Sequence, residues 1–307
     1  MPNLIRPVDR QLLAPFLDYC SRYGARHDES FVPGAGFEPG PNEPAHVLLD
    51  EAGTVCGASA LLLGASWGRS GRGRFSIIHA GGDEGGTIHD YRSLVAAAAR
   101  SAEGRVAELY LFLPETAAAS VEALESLGFA RERIVYGMEA PIDGALVATP
   151  PQGWRLDPVA ADDAHAIGEF ATVRNRNFKE VLGAHDASTE DVLEMLRSDT
   201  ALPGGLLLLR DRNGTAHGTL FLDRDDDEGV LFVGAVTVDR EVRGQGLGRF
   251  LVRSALTFGA ERGFTKAFLS VNALNRSALS LYEGEGFVQE RAMVCLAASV
   301  DALASLG

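Results

Sequence analysis

The stretch VGAVTVDREVRGQGLGRFLVRSALTFGAERG, residues 233–263, reads as a strand, an arginine-led glycine loop and a helix. Val230 to Val238 is a nearly continuous apolar, β-branched run, the pattern of a strand buried on both faces. Behind it Gly244, Gly246 and Gly248 let backbone amides converge on an anion, and the following helix adds its positive end and unbonded N–H groups. Leu247, Leu251, Ala255 and Phe258 recur at spacings of four and three, which sets one apolar stripe on the sheet and leaves Arg249, Arg253 and Arg262 to solvent. Gly263 is placed to stop the helix. The anion such a cradle holds is a phosphate.

Two common phosphate loops fail on the letters. A Walker loop needs a lysine followed by Ser or Thr after its last glycine, and Arg249-Phe250 stands there. A dinucleotide fingerprint needs its third glycine at the position of Arg249 and an acidic residue some twenty positions on.

What Arg243-Gly244-Gln245-Gly246-Leu247-Gly248 resembles is the acyl-CoA pyrophosphate loop of the GNAT superfamily of N-acetyltransferases. Its pattern is Arg or Gln, two residues, Gly, one residue, then Gly or Ala. Downstream the resemblance continues through a strand AFLSVN, an asparagine at Asn275, and SALSLYEGEGF with Tyr282 and the Gly286-Phe287 pair. It covers residue 155 to about residue 296.

Composition agrees with a soluble globular chain: 307 residues at 46% hydrophobic content can bury a large core and sit near a two-domain length. No run of about eighteen apolar residues is present, and the start MPNLIRPVDRQ lacks a charged leader with an apolar core, so a cytoplasmic protein away from membranes is expected. The three cysteines are widely spaced and the seven histidines scattered, which predicts neither disulfides nor a metal site. A formal charge of −14 excludes duplex nucleic acid as the expected partner, because that partner needs clustered Lys and Arg. The acidic run from Asp223 to Glu228 reads as a solvated hairpin turn.

The chain also repeats itself. LIRPVDRQLLAPF is echoed by RLDPVAADDAHAIGEF, DEAGTVCGASALLL by DRNGTAHGTLFLD, and VEALESLGFARER by LSLYEGEGFVQER. With Pro150 and Pro151 between the halves, this predicts an α/β (α+β) chain of two tandem GNAT-like domains, residues 1–147 and 148–307. Each is expected to be a mixed, mainly antiparallel sheet flanked by helices. The arrangement resembles mycothiol synthase and related two-domain acyltransferases.

In the first copy the segment at the loop position is HAGGDEGGTIHDYRS. Its glycines Gly81, Gly82, Gly85 and Gly86 remain, but Asp83, Glu84 and Asp90 would repel a pyrophosphate, the leading arginine is missing, and Leu124 stands where the second copy has Tyr282. The first copy is therefore expected to be catalytically degenerate. The long Gly/Pro-rich segment 24–44 is expected either to build an acceptor wall or to be an insertion.

The resemblance implies acetyl transfer from acetyl-CoA, as co-substrate and with no metal, to a primary amine, expected to be a small molecule. The amine would attack the thioester directly in a ternary complex, so no protein nucleophile is required. It places the backbone of Val236, Thr237 and Val238 against the pantetheine arm and the amides of Gly244, Gln245, Gly246, Leu247, Gly248 and Arg249 on the pyrophosphate. It makes Arg243 the loop's anchor and Asn275 a further contact to the arm, although Asn275 also reads as a helix N-cap. Tyr282 is implied to be the general acid for the departing thiolate, its phenol being protonated at neutral pH. Residues 231–238 contain no Asp or Glu, so no base is assigned among His217, Asp223, Glu180 and His185. A chain that binds acyl-CoA without turnover, as sensor or scaffold, is the alternative. Oligomeric state, acceptor and acyl-chain preference are not read from the sequence.

Overall fold

The computed structural model describes residues 3–27, 31–64, 70–81, 86–144, 147–179, 181, 186–225 and 229–307. The chain divides into two compact units, residues 1–135 with 292–307, and residues 136–291.

The first unit contains β1 (Leu4–Pro7), α1 (Leu13–Tyr23), β2 (Ala45–Leu49), β3 (Val55–Leu62), β4 (Arg72–Ala80), α2 (Ile88–Ala102), β5 (Glu108–Pro114), α3 (Ala118–Ser126) and the start of β6 (Ala130–Pro141). The second holds the rest of β6, then β7 (Arg155–Pro158), α4 (Ala164–Phe178), α5 (Thr189–Arg197), β8 (Ala201–Arg210), β9 (Ala216–Arg224), β10 (Val230–Val238), α6 (Leu247–Glu261), β11 (Lys266–Asn272) and α7 (Arg276–Gly284). The last strand, β12 (Val288–Ser299), and α8 (Val300–Ala304) return the chain to the first unit from Ala292.

The repeat seen in the letters is thus a repeat of topology. In the first unit β1, β2, β3 and β4 pair antiparallel in that order, and β4 pairs parallel with β5 over only Arg72–Arg74 against Glu108–Tyr110. In the second unit β7, β8, β9 and β10 pair antiparallel, and β10 pairs parallel with β11 over only Val230–Phe232 against Lys266–Phe268. Both sheets are mixed and mainly antiparallel.

The compact units do not follow the 147/148 boundary read from the sequence. β12 lies antiparallel to β5, with Leu296 opposite Leu111, and buries Val294 and Leu296 in the first unit's core together with Val300 and Leu303 of α8. Conversely Met138 and Ala140 of β6, beside β11, belong to the core under α6. Burying side chains of this size stabilises by about 1.5–3 kcal/mol each, so the interleaved segments are structural members of the units they join.

β10 also departs from a strand buried evenly on both faces. Leu231 and Val233 are buried against α6, whereas Val230 and Phe232 are half-buried. Between Gly234 and Thr237 the pairing with β9 slips by one residue, and Ala235 has φ 45°. Such a bulge reverses which residues face which side. Val236 and Val238 therefore join the α6 core, while Ala235 packs with the α4 and α5 residues Phe170 and Val192.

Candidate active site

A positive φ at a non-glycine residue is unfavourable, so the bulge persists because its neighbours define it. Thr219 Oγ1 donates to the Ala235 carbonyl at 2.7 Å, and Thr219 N donates to Thr237 Oγ1 at 3.1 Å. The pairing of β10 with β9 continues to Val238↔Gly218, but its pairing with β11 stops at Phe232↔Phe268. Past that point β10 offers an edge on the β11 side, the kind of edge an extended amide-bearing ligand joins as an added strand.

The edge leads into the glycine loop. Arg243 Nε donates to the Val238 carbonyl at 2.9 Å and so closes the turn between strand and loop. Gly244 and Gly246 have φ of 81° and 77°, conformations that glycine takes without steric cost. Gly246 caps α6 without any side-chain hydrogen bond, which leaves the first-turn N–H groups and the positive helix end for an anion. At the other end Gly263 N bonds Ala260 O and Phe264 N bonds Gly259 O, a Schellman stop at the glycine read from the sequence.

Strand edge, loop, α7 and the end of α4 enclose a cavity of about 560 Å³. Among the residues named from the sequence, Val236, Thr237, Val238, Arg243, Gly244, Gly246, Leu247, Gly248, Arg249, Asn275 and Tyr282 line it; Gln245 does not. Among the described residues the charged members of the lining are Arg243 and Arg249, which suits a diphosphate. Arg249 is exposed yet engaged: its Nε meets Glu285 at 2.8 Å, and Arg253 meets the same buried carboxylate at 2.7 Å. Asn275 is the N-cap of α7, its Oδ1 accepting from Ala278 N at 3.2 Å.

Tyr282 is buried, its ring 5.8 Å from that of Phe287, and burial pushes its phenol up to about 12. It therefore stays protonated throughout the neutral range.

Sequence reasoning missed the α4 wall, where Asn177, Phe178 and Val181 face the cavity. The wall is fixed by Asp239, which is 4% exposed and follows β10 directly. Its carboxylate accepts from Arg176 Nε at 2.9 Å, Asn177 Nδ2 at 2.7 Å and His217 Nδ1 at 3.2 Å. His217, Asp239 and Glu241 form a cluster whose potential ligand atoms lie within 4.8 Å of one another. A cation there would compete with the Arg176 guanidinium, so the donor set does not suit a metal.

Of the base candidates, His217 is committed to Asp239 and packs edge-on against Trp154. Glu180 and His185 lie outside the described residues. Asp223 is not in a solvated turn: it belongs to β9 and is half-buried, while residues 226–228 of the same acidic run lie outside the described residues.

In the first unit, register puts His79 where the second has Thr237: Ala58↔His79 precedes Gly57↔Ala80 as Thr219↔Thr237 precedes Gly218↔Val238. His79 is 2% exposed, stacks on Tyr23 at 4.7 Å, and bonds Tyr19 and Arg26 at 2.7 and 3.1 Å. At the start of α2, Asp90 closes a capping box with Thr87, its Oδ2 accepting from Thr87 N at 2.9 Å. The helix end that is uncapped in α6 is here occupied by the chain's own carboxylate. Gly82, Asp83, Glu84 and Gly85 lie outside the described residues.

A bulged strand splayed from its parallel neighbour is thus followed by a glycine cradle on an uncapped helix end. Residues 172–287 match the model of the Acetyltransferase (GNAT) family. The chain is similar to the mycothiol acetyltransferases of Propionibacterium freudenreichii (29% identity, 51% of this chain and 50% of that one) and Kytococcus sedentarius (32%, 55% and 57%). A longer match, 27% identical over 80% of this chain and 81% of the relative, is to the mycothiol acetyltransferase of Clavibacter michiganensis. With the first of these relatives the matched stretch spans about half of their length. In fold the chain is similar to a GCN5-related N-acetyltransferase from Sphaerobacter thermophilus (TM-score 0.74, 17% identity, 97% of this chain and 96% of that one). It is also similar to a tandem GNAT protein from the clavulanic acid biosynthesis pathway (0.70, 16%, 97% and 98%). Among the described residues no helix is long and apolar enough to cross a membrane.

Proposed function

We propose that the second unit transfers an acetyl group from acetyl-CoA to a primary amine of a small molecule, by direct attack within a ternary complex. The observation that carries this reading is one continuous surface: the β10 edge at Val236–Val238, Gly244, Gly246, Leu247 and Gly248 of the loop, and Tyr282 all line the same cavity. The strand edge takes the amides of the pantetheine arm, and the loop and helix end take the pyrophosphate. The bulge turns a backbone N–H of β10 toward the thioester carbonyl, where a donor stabilises the tetrahedral oxyanion. Tyr282 protonates the departing thiolate, a task its raised pKa suits. Asn275, besides capping α7, directs its amide toward the arm. The similarity to mycothiol acetyltransferases favours a small acceptor over a protein or a nucleic acid.

Because residues 231–238 carry no acidic residue, a chain that binds acyl-CoA without turnover is the second reading. Thiol release from acetyl-CoA across a panel of glucosamine, spermidine, cysteine and a short peptide amine, with calorimetric titration of CoA, separates the two. Acetylation of any of these amines with saturable CoA binding is expected; binding without transfer supports the sensor, and no binding defeats both.

A further inference from the structure

Among the described residues no carboxylate lines the cavity, so the acetyltransferase reading calls for an acceptor of the amine's proton from a neighbouring element. The neighbouring strand supplies one. Asp223 of β9 lies directly opposite Phe232 of β10, and directly opposed residues of an antiparallel pair project from the same face. Phe221, two residues along β9, lies opposite Gly234, the last registered residue before the bulge, and therefore shares that face. A Cβ on Gly234 would meet Phe232 Cε1 at 2.8 Å and Phe221 Cδ1 at 3.1 Å, so the two rings close over the backbone there. Asp223 thus stands about 7 Å along the strand from the residue that opens the bulge, at the rim of an aromatic floor.

We propose that Asp223 is the general base of the transfer, taking the amine proton directly or through one water. This rests on the acetyltransferase reading. The acceptor ammonium gives its first proton to the Asp223 carboxylate, which passes it to solvent. The nitrogen lone pair then forms the C–N bond, the C–S pair leaves on sulfur, and Tyr282 gives that sulfur its proton. The second nitrogen proton restores the phenol, so one acetyl-CoA and one ammonium yield amide, thiol and one released proton.

The surroundings of Asp223 suit the role. Thr200 Oγ1 donates to its Oδ2 at 3.0 Å and Arg224 N to its Oδ1 at 2.9 Å, which hold the carboxylate in place. The charged groups bearing on it are Arg224 and Asp225 of its own hairpin; β10 presents Phe232 across the register, and Lys266, beyond it, is held by Glu139 at 3.1 Å. Burial raises the Asp223 pKa, and the Thr200 bond opposes that rise.

The experiment is the pH dependence of kcat at saturating acetyl-CoA, with the best amine of the panel above, for the wild type, Asp223→Asn and Thr200→Val. Asp223→Asn is expected to lower kcat by about 10²–10⁴-fold and to abolish its acidic limb, with calorimetric affinity for acetyl-CoA unchanged. Thr200→Val is expected to move the limb to higher pH, because the charged form loses a donor. An Asp223→Asn chain that keeps both the rate within about twofold and the limb overturns the proposal. If that variant does not fold, an unmoved limb in Thr200→Val overturns it. A wild type that binds acetyl-CoA yet acetylates no amine sinks the acetyltransferase reading instead, a distinct outcome.

Discussion

The two units share a topology and spend it differently. At corresponding register positions the second unit has Thr237 on the wall of a cavity, and the first has His79 buried under Tyr23 and bonded to Tyr19 and Arg26. At the helix that follows, α6 begins at an uncapped Gly246 and α2 begins in a capping box closed by Asp90. A fold that binds an anion must leave a helix end unsatisfied, at a cost in stability; one that does not can close it. The same element thus ends open in one copy and is closed by the chain's own carboxylate in the other.

The comparison breaks most sharply at the loop. Gly246→Val, which puts a β-branched residue at φ 77°, should weaken acetyl-CoA binding by at least 100-fold, a loss of about 2.7 kcal/mol by the usual conversion. Calorimetry should give one site per chain in the wild type and none in the variant. Two sites in the wild type would end the asymmetry argued above.

Next in size is Tyr282→Phe, expected to cut kcat by about 100-fold or more while acetyl-CoA affinity holds. A folded-state phenol raised to about 12 is lost as an acid only above that pH, so no alkaline limb below about pH 10 should come from Tyr282. A rate profile of wild type and variant checks both points.

The first unit should answer in stability rather than activity. Burial lowers the pKa of His46 to about 4, with the Arg100 charge acting in the same direction. Below pH 6.5 the unfolded chain binds a proton that the folded one refuses, so stability falls as the pH drops from 6.5 toward 4, by about 3 kcal/mol. His46→Gln should flatten the Tm profile across that window. Tyr19→Phe, which removes the hydroxyl bonded to His79, should cost about 1–2 kcal/mol in urea unfolding. The smallest effect is Thr87→Ala, about 1 kcal/mol through the lost cap. None of the three should change acetyl-CoA affinity, and a tenfold change from any would tie the first unit to the site.

Local features of the site were legible because they are local. The loop, the stop at Gly263, the cap at Asn275 and the repeat all follow from residue types at fixed spacing. Three features were not. The bulge at Ala235 depends on Thr219 sixteen positions upstream in the partner strand, and nothing in the run VLFVGAVTV marks it. The α4 wall depends on Asp239 meeting Arg176 and Asn177, residues more than sixty positions apart. The interleaving of β6 and β12 was hidden because alternation shows that a strand is half-buried, never which sheet it completes. For Asp223 the letters carry only a partial signal: it stands two residues after Phe221, in step with the strand, but so does Asp225 after it, and alternation alone does not single it out.

The interleaving has a consequence for how the chain comes off the ribosome. The first unit's core lacks Val294, Leu296, Ala298, Val300 and Leu303 until residues 292–307 are made, although its other buried members are complete by Phe129. At about 5–20 residues per second, that leaves the N-terminal sheet with an unfilled edge for some ten to thirty seconds of synthesis. The half of the chain made first waits on residues 292–307 to fill its core, and the copy bearing the glycine loop can close before the copy that precedes it.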